Sequence, residues 1–169
     1  MLSYTIRPAR PQELDQIWDL VRRAVAKMNA EGSEQWGPDY PARSDYAADI
    51  QRGELWAAVG PEGRVLGVAC VNQNEDPTYA AVAWTCPSPA VSVHRAAVDP
   101  EVQRGGVASA LLSHAVELAR EAGVASLHVD TYSKNVKMQG LFRKLGFVQR
   151  GEIRLHSRPL PFPAFEKVL

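Results

Sequence analysis

The stretch VSVHRAAVDPEVQRGGVASALLSHAVELAREA, from Val91 to Ala122, decides the fold. Its first part, residues 91–98, is rich in β-branched and small residues and predicts a strand. Asp99-Pro100 ends this strand, because proline cannot donate a hydrogen bond to a β-ladder. The last part, from residue 107 to 122, predicts an amphipathic helix, because apolar residues recur at a helical spacing at 107, 108, 111, 112, 115, 118, 119 and 122.

Between strand and helix lies the turn Gln103-Arg104-Gly105-Gly106. A helix leaves its first backbone N–H groups without partners, and glycine cannot cap them as Ser, Thr, Asp or Asn would. The two glycines allow a ligand to approach the backbone closely, while the helix dipole and Arg104 add positive charge. The turn therefore indicates an anion site suited to phosphate. The alternative is a flexible turn whose amides bind water.

The residues QRGGVA, from Gln103 to Ala108, resemble the Gln/Arg-x-x-Gly-x-Gly/Ala signature of the GNAT superfamily of acyl-CoA-dependent N-acetyltransferases. The segment before them, 98–101, is similar to that family's strand-to-turn lead-in. Downstream, Asn135 begins a predicted helix that Leu145-Gly146-Phe147 follows, which resembles the family's second signature. The N-terminal half resembles the family only in the order of its elements.

Composition limits the class of protein. A chain of 169 residues predicts one domain, and the resemblance implies a single N-acetyltransferase domain over 1–169. The 19 Lys and Arg balance the 19 Asp and Glu, so no nucleic-acid partner is expected. Cys70 and Cys86 form no metal-binding pattern and predict reduced thiols in a cytoplasmic protein. No signal-peptide or membrane-spanning run is found, so no membrane partner is expected either.

The remaining pattern predicts an α/β (α+β) fold. By resemblance its central sheet is mixed and mostly antiparallel, flanked by helices and splayed around the central strand. Because a strand, a helix and another strand follow one another, residues 91–98 and 127–130 should pair in parallel through a right-handed crossover. The other predicted elements are strands 3–7, 55–59, 65–71 and 165–169, a strand from 147 onward, and helices 11–29, 45–52 (capped by Ser44) and 135–144.

The resemblance implies acetyl-CoA as cosubstrate and no metal. In the family, a backbone N–H near Val98 stabilises charge on the thioester oxygen, and the strand around Ala96 to Val98 pairs with pantetheine. The residues expected to bind the cofactor are Ala96, Ala97, Val98, Gln103, Arg104, Gly105, Gly106, Val107, Ala108, Ser109, Asn135 and Phe142.

Phe142 departs from the family pattern. The position seven residues after Asn135 is commonly tyrosine in the family, where its hydroxyl protonates the leaving thiolate. Phenylalanine has no proton to give, so water, Ser133 or Tyr132 would have to serve. A thiol pKa of about 8.5 makes the thiolate a tolerable leaving group near neutral pH.

His94 is the predicted general base. An amine with a pKa of about 10.4 is protonated at pH 7 and has to lose a proton before it attacks. Strand alternation places Ser92, His94, Ala96 and Val98 on one face if no bulge intervenes. Imidazole suits the task, and His94→Ala should lower turnover with cofactor affinity unchanged. The alternative is a structural histidine; weaker candidates for the base are His128, Asp130 and Glu75.

Aromatic residues in turn-rich segments suggest where the acceptor binds. Trp36 and Tyr40 lie between Gly32 and Ser44, and they either plug the edge of the core or line a pocket. With Trp84 they are the expected substrate-binding residues, for a small-molecule or peptide amine. The alternatives are an acyl-CoA-binding or sensing domain without activity, and an acyltransferase with a longer acyl donor or an O-linked acceptor. An exposed sheet edge could also pair to form a homodimer.

Overall fold

Seven strands form one sheet, in the spatial order 1-2-3-4-5-7-6. Along the chain they are β1 (Thr5–Pro8), β2 (Leu55–Val59), β3 (Val65–Asn72), β4 (Val91–Val98), β5 (Ser126–Asp130), β6 (Val148–Ile153) and β7 (Phe162–Val168). The helices are α1 (Leu14–Ala30), α2 (Arg43–Gln51), α3 (Val107–Ala122) and α4 (Val136–Lys144). This computed structural model describes residues 2–102 and 105–169. The mixed, mostly antiparallel sheet confirms the predicted fold class.

The chain divides into two units, and each is described by itself. The first holds the residues up to Val71 together with His94–His114, and the second holds Asn72–Val93 and Ala115–Leu169. The unit boundary therefore falls within β4 and again within α3.

The first unit is built on the β2–β3 hairpin. Leu55 pairs with Cys70 and Ala57 with Val68, and β1 adds antiparallel to β2. The apolar stripe of α1 and two residues of α2, Tyr46 and Ile50, are buried in the same core.

One detail of α2 differs from the prediction. The helix begins two residues earlier than expected, and its N-cap is Ala42 rather than Ser44. The Asp45 carboxylate accepts a hydrogen bond from the Ala42 amide at 2.7 Å. A carboxylate in the first turn thus satisfies the backbone donor there, and no hydroxyl is needed.

The second unit contains the parallel pair of the sheet. Val91 pairs with Leu127 and Ser92 with His128, so the predicted parallel crossover from β4 to β5 is confirmed. The pairing lies at the beginning of β4, as a splayed central strand requires. Antiparallel pairing of β5 with β7 and of β7 with β6 completes this unit.

The alternation predicted along β4 required that no bulge intervenes, and the strand does not meet that condition. Arg95 has φ +51°, in the left-handed region, so the pleat is broken in the middle of the strand. The face that Ser92 and His94 share consequently does not continue to Ala96 and Val98.

Candidate functional site

In the glycine turn before α3, Leu2 fills the space beside Gly105, whereas the space beside Gly106 is open. A Cβ on Gly105 would collide with Leu2, whereas a Cβ on Gly106 would meet nothing nearer than the Tyr4 hydroxyl at 3.9 Å. Gly106 has φ +69°, a conformation that glycine adopts without strain. The turn thus leaves exposed backbone at the start of α3, where the helix dipole favours an anion. Gln103 and Arg104, both predicted cofactor contacts, lie outside the described residues.

Two contacts hold this end of the first unit. The Tyr4 hydroxyl donates to the Gly105 carbonyl at 3.1 Å. The Asp99 carboxylate is 3% exposed. It accepts hydrogen bonds from Arg23 Nη1 and Nη2, at 2.7 and 3.1 Å, and from the Glu101 amide at 2.9 Å. Burial alone would raise the pKa of Asp99, but Arg23 and these hydrogen bonds lower it. Sequence reasoning found the glycines but missed Tyr4, since nothing in the pattern links it to a turn 101 residues away.

Asp130, which is half-buried, is the last residue of β5 in the second unit. The Tyr79 hydroxyl, itself buried, donates a short hydrogen bond to the Asp130 carboxylate. Burial raises the pKa of Asp130 to about 6, and the Tyr79 hydrogen bond limits that rise. A carboxyl group with a pKa near neutrality can exchange protons at physiological pH.

A second polar cluster in this unit surrounds His128, which is fully buried. Its Nδ1 lies 2.5 Å from Glu75 Oε1, and its Nε2 lies 2.9 Å from the Cys86 carbonyl and 3.2 Å from Glu166 Oε2. Glu166 also accepts from the Thr85 and Cys86 amides at 2.9 and 2.8 Å. His128 and Glu75, two weaker candidates for the base, are therefore bound into a network that holds the segment between β3 and β4 on β5 and β7.

A sequence model of the Acetyltransferase (GNAT) family matches residues 18–147, which run through both units. The chain belongs to the GNAT family. The sequence resemblance is therefore confirmed at the level of the family.

Known relatives agree with this assignment. Over 51 residues, or 30% of this chain and 34% of the relative, the GNAT chain is 39% identical to the [ribosomal protein bS18]-alanine N-acetyltransferase of Escherichia coli (strain K12). The matched stretch spans about a third of the length of such curated relatives. A GNAT-family acetyltransferase from Streptococcus agalactiae 2603 has a structure with a TM-score of 0.85 and 29% identity, covering 100% of this chain and 99% of its own.

A more distant structure shares the fold. The PaiA N-acetyltransferase from Thermoplasma acidophilum, solved in complex with coenzyme A, has a TM-score of 0.74 at 14% identity. The comparison covers 99% of this GNAT chain and 100% of that one.

The second GNAT signature lies on α4. Asn135 is the N-cap of this helix: its Oδ1 accepts from the Met138 amide, and its Nδ2 donates to the Thr131 hydroxyl, both at 3.1 Å. Phe142 is 3% exposed and packs against Phe147 and Phe165, with ring centroids 5.5 and 5.2 Å away. These contacts give both residues structural roles, and their contacts with the cofactor stay predictions.

The hydroxyl groups proposed to replace the usual GNAT tyrosine are engaged within the second unit. Ser133 Oγ donates a short hydrogen bond to the Pro161 carbonyl. Tyr132 is fully buried, and its oxygen accepts from the Leu160 amide at 3.3 Å.

The predicted acceptor residues of this GNAT protein lie in different surroundings. Trp36 is 7% exposed and packs in the core of the first unit, which favours the core-edge alternative. Tyr40 is half-buried and accepts from Arg95 Nη1 at 3.1 Å. Trp84, in the second unit, stacks on His128 with ring centroids 3.8 Å apart. Their contact with an acceptor stays a prediction.

His94 is half-buried in the first unit, on the N-terminal side of the break at Arg95. Its role as the base stays a prediction. In the stretches 2–102 and 105–169, no helix is long and apolar enough to cross a membrane. Over the same residues, no three His, Cys, Asp or Glu side chains are grouped to hold a metal ion.

Proposed function

We propose that this protein transfers the acetyl group of acetyl-CoA to an amine. The observation that carries the proposal is the open, left-handed Gly106 at the start of α3, since a Cβ there would fill the space beside the exposed turn. Acetyl-CoA supplies a phosphorylated anion and a reactive thioester. The coenzyme A complex of the structurally similar PaiA protein supports this choice of cosubstrate.

The first unit would bind the cosubstrate through backbone. The amides that begin α3, at Val107, Ala108 and Ser109, would face its phosphates together with the glycine turn. The second half of β4, Ala96 to Val98, would pair with its pantetheine arm. The N–H near Val98 would stabilise negative charge on the thioester oxygen, which has its largest effect in a site that excludes water.

Deprotonation of the amine needs a base, and two side chains qualify. His94 carries an imidazole, a group whose unperturbed pKa suits a base near neutral pH. The Asp130 carboxyl has its pKa raised to about 6 by burial, and the Tyr79 hydroxyl orients it. We favour His94, because it lies on β4 in the same unit as Ala96 to Val98, whose backbone would receive the thioester; Asp130, in the second unit, is the alternative.

The acceptor is an amine on a small molecule or a peptide. The name of the E. coli relative describes acetylation of an alanine of a ribosomal protein, which supports a peptide amine. Of the three predicted acceptor residues, Tyr40 and Trp84 are half-buried and keep surface that an acceptor can contact. The same proposal treats residues 1–169 as one acetyltransferase domain in the cytoplasm, where Cys70 and Cys86 stay thiols.

A second candidate function is acyl-CoA binding without transfer. Phe142 favours it, because the family's usual hydroxyl is replaced by a ring buried between Phe147 and Phe165. Tight binding of acetyl-CoA with no thiol released across a panel of amines would establish this second function instead.

Isothermal titration with acetyl-CoA tests the proposal. We expect the parent to bind and Gly106→Glu to weaken binding at least about tenfold, because a carboxylate would occupy the phosphate position. Gly123→Glu is the matched control, since Gly123 lies at the other end of α3 with φ +72° and nothing within 4 Å of its Cβ position.

The control variant should bind like the parent, with both variants folded by circular dichroism. No binding by the parent would overturn the proposed function. Equal binding by Gly106→Glu would remove the glycine turn from the site.

A further inference from the structure

Arg95 adopts a backbone conformation that arginine rarely takes. Its φ of +51° lies in the left-handed region, where a side chain is disfavoured and persists only if its surroundings hold it there. The residue lies in the middle of β4, immediately before Ala96, Ala97 and Val98. Something in the first unit must therefore stabilise this conformation.

Three residues hold Arg95 in place. Its guanidinium makes a bidentate pair with Asp49 of α2, with Nε and Nη2 each 2.7 Å from a carboxylate oxygen. Tyr46, one turn earlier on α2, donates its hydroxyl to the Arg95 carbonyl at 3.2 Å, and Tyr40 accepts from Nη1 at 3.1 Å. The side chain and the backbone of Arg95 are thus both fixed to the segment 40–49.

Asp49 and Arg95 form a buried ion pair, and such a pair is better suited to fixing a conformation than to adding stability. The Asp49 side chain is 1% exposed and that of Arg95 is 17% exposed. Burial alone would lower the pKa of Arg95, but Asp49 and Tyr40 raise it, so the guanidinium is permanently charged. Buried ion pairs contribute little net stability compared with apolar packing, and their best-attested use is to specify one arrangement.

We infer that Asp49, Arg95 and Tyr46 form a brace, three positioning residues that set the break in β4 and so direct the backbone of Ala96 to Val98. A break of this kind re-aims the strand that follows it. The inference rests on the proposed function, in which that backbone receives the cosubstrate. The brace positions β4 and not the glycine turn, so it adds a second requirement for the binding of acetyl-CoA.

The test uses two variants of different severity in the full-length protein. Asp49→Asn keeps the shape of the side chain and removes the charge that holds Arg95. Tyr46→Phe keeps the buried ring and removes only the hydrogen bond to the Arg95 carbonyl. We expect hydrogen exchange of the β4 amides at 94–98 to quicken in both, and the Kd for acetyl-CoA to rise about tenfold in Asp49→Asn and less in Tyr46→Phe.

Glu13→Gln is the matched control. Arg7 and Glu13 form another bidentate pair in the same unit, at 2.9 and 2.7 Å, but they hold the start of α1. This variant should lower the thermal midpoint and leave both the exchange at 94–98 and the Kd close to those of the parent. If Glu13→Gln raised the Kd as much as Asp49→Asn does, the effect of Asp49→Asn would come from a general loss of stability, and the positioning role of the brace would be overturned.

Hydrogen exchange at 94–98 and the Kd for acetyl-CoA together distinguish failure of the brace from failure of the proposed function. Unchanged exchange at 94–98 in folded Asp49→Asn would overturn the brace, whatever acetyl-CoA does. Faster exchange with an unchanged Kd would overturn its positioning role and leave the proposed function standing. A parent that binds no acetyl-CoA would overturn the proposed function, and with it the positioning role.

Discussion

At the scale of single residues, Asp130 is the alternative base whose raised pKa gives a testable pH dependence. Burial raises the pKa of its carboxyl to about 6, and the Tyr79 hydroxyl is the hydrogen-bond donor that limits the rise. If Asp130 is the base, it acts only when deprotonated, and kcat/KM should fall as the pH drops through about 6. The same donor should therefore set the position of the acid limb.

Removing that donor gives the first prediction. With Asp130 as the base, Tyr79→Phe should move the acid limb of the kcat/KM profile to higher pH, because an unassisted carboxylate is harder to form in a buried site. Asp130→Asn should then lower kcat/KM by about 10²-fold or more, as loss of a general base does. The pH profile is measured with acetyl-CoA and an acceptor amine, and the Kd for acetyl-CoA should stay unchanged in both variants.

His94→Ala is the comparison that decides between the two bases. If Asp130 is the base, this variant keeps the acid limb of the parent. An acid limb that disappears in His94→Ala and persists in Asp130→Asn would assign the role to His94 as the sequence predicted.

The sequence pattern did not predict the left-handed backbone of Arg95. The composition of 91–98 predicted a strand correctly, and its bounds agree with β4. The shared face of His94 and Val98, expected only without a bulge, is interrupted at Arg95, whose guanidinium pairs with Asp49, 46 residues earlier in the chain. A contact of that range leaves no mark on the alternation of a single strand.

At the scale of elements, Gly67 of β3 allows β3, β4 and α3 to meet in the first unit. A Cβ on Gly67 would lie 2.7 Å from Val107 Cγ1, 3.1 Å from the Ala97 carbonyl oxygen and 3.3 Å from Val98 Cγ2. None of the three neighbours yields easily, since both valines are stiff at χ1 and the Ala97 carbonyl belongs to the backbone.

Gly67→Ala should therefore destabilise the protein by about 1–3 kcal/mol, as overpacking does. It should also weaken acetyl-CoA binding, because it displaces the start of α3. Adding Val107→Ala removes the nearest clash and should restore part of the stability in urea unfolding. Gly140→Ala, in the open middle of α4, should stabilise by roughly 1 kcal/mol. A Gly67→Ala protein as stable as the parent would contradict the close approach.

Elements were the part of the fold that sequence predicted best. The bounds of α3 agree with the expectation, and those of α4 differ from it only in that Asn135 is the cap rather than the first residue. The cap of α2 was missed because Ser44 matched the usual preference, whereas Asp45 satisfied the Ala42 amide from inside the helix. Local preference thus predicted that a helix forms but not which side chain begins it.

At the scale of the whole molecule, folding lowers the pKa of three carboxyl groups among the described residues, Glu13, Asp99 and Glu166. The pKa of Glu13 is lowered chiefly by its hydrogen bonds to Arg7. For Asp99 and Glu166, burial would raise the pKa, but hydrogen bonds from backbone amides and arginines outweigh it. Stability from such groups is fully present above their unfolded pKa values of about 4 and is lost as the pH falls through the folded values.

Asp130 works in the opposite direction. Because folding raises the pKa of Asp130 to about 6, the stability linked to its protonation is present below about 4 and is lost as the pH rises through 6. The free energy of unfolding should therefore rise slightly from pH 7 to 5 and then fall steeply below pH 4. Urea unfolding across this range checks it, and Asp130→Asn should remove the early rise alone. A flat curve down to pH 3 would contradict both effects.

Glu166 also bears on the order in which the chain can fold. Its carboxylate fixes the Thr85 and Cys86 amides, from which it is separated by 81 and 80 residues. A ribosome adding about 5–20 residues per second delivers Glu166 roughly 4 to 16 s after Thr85. During that interval the Thr85 and Cys86 amides lack their carboxylate acceptor, so the nascent protein keeps these two amides in water until the last strand emerges.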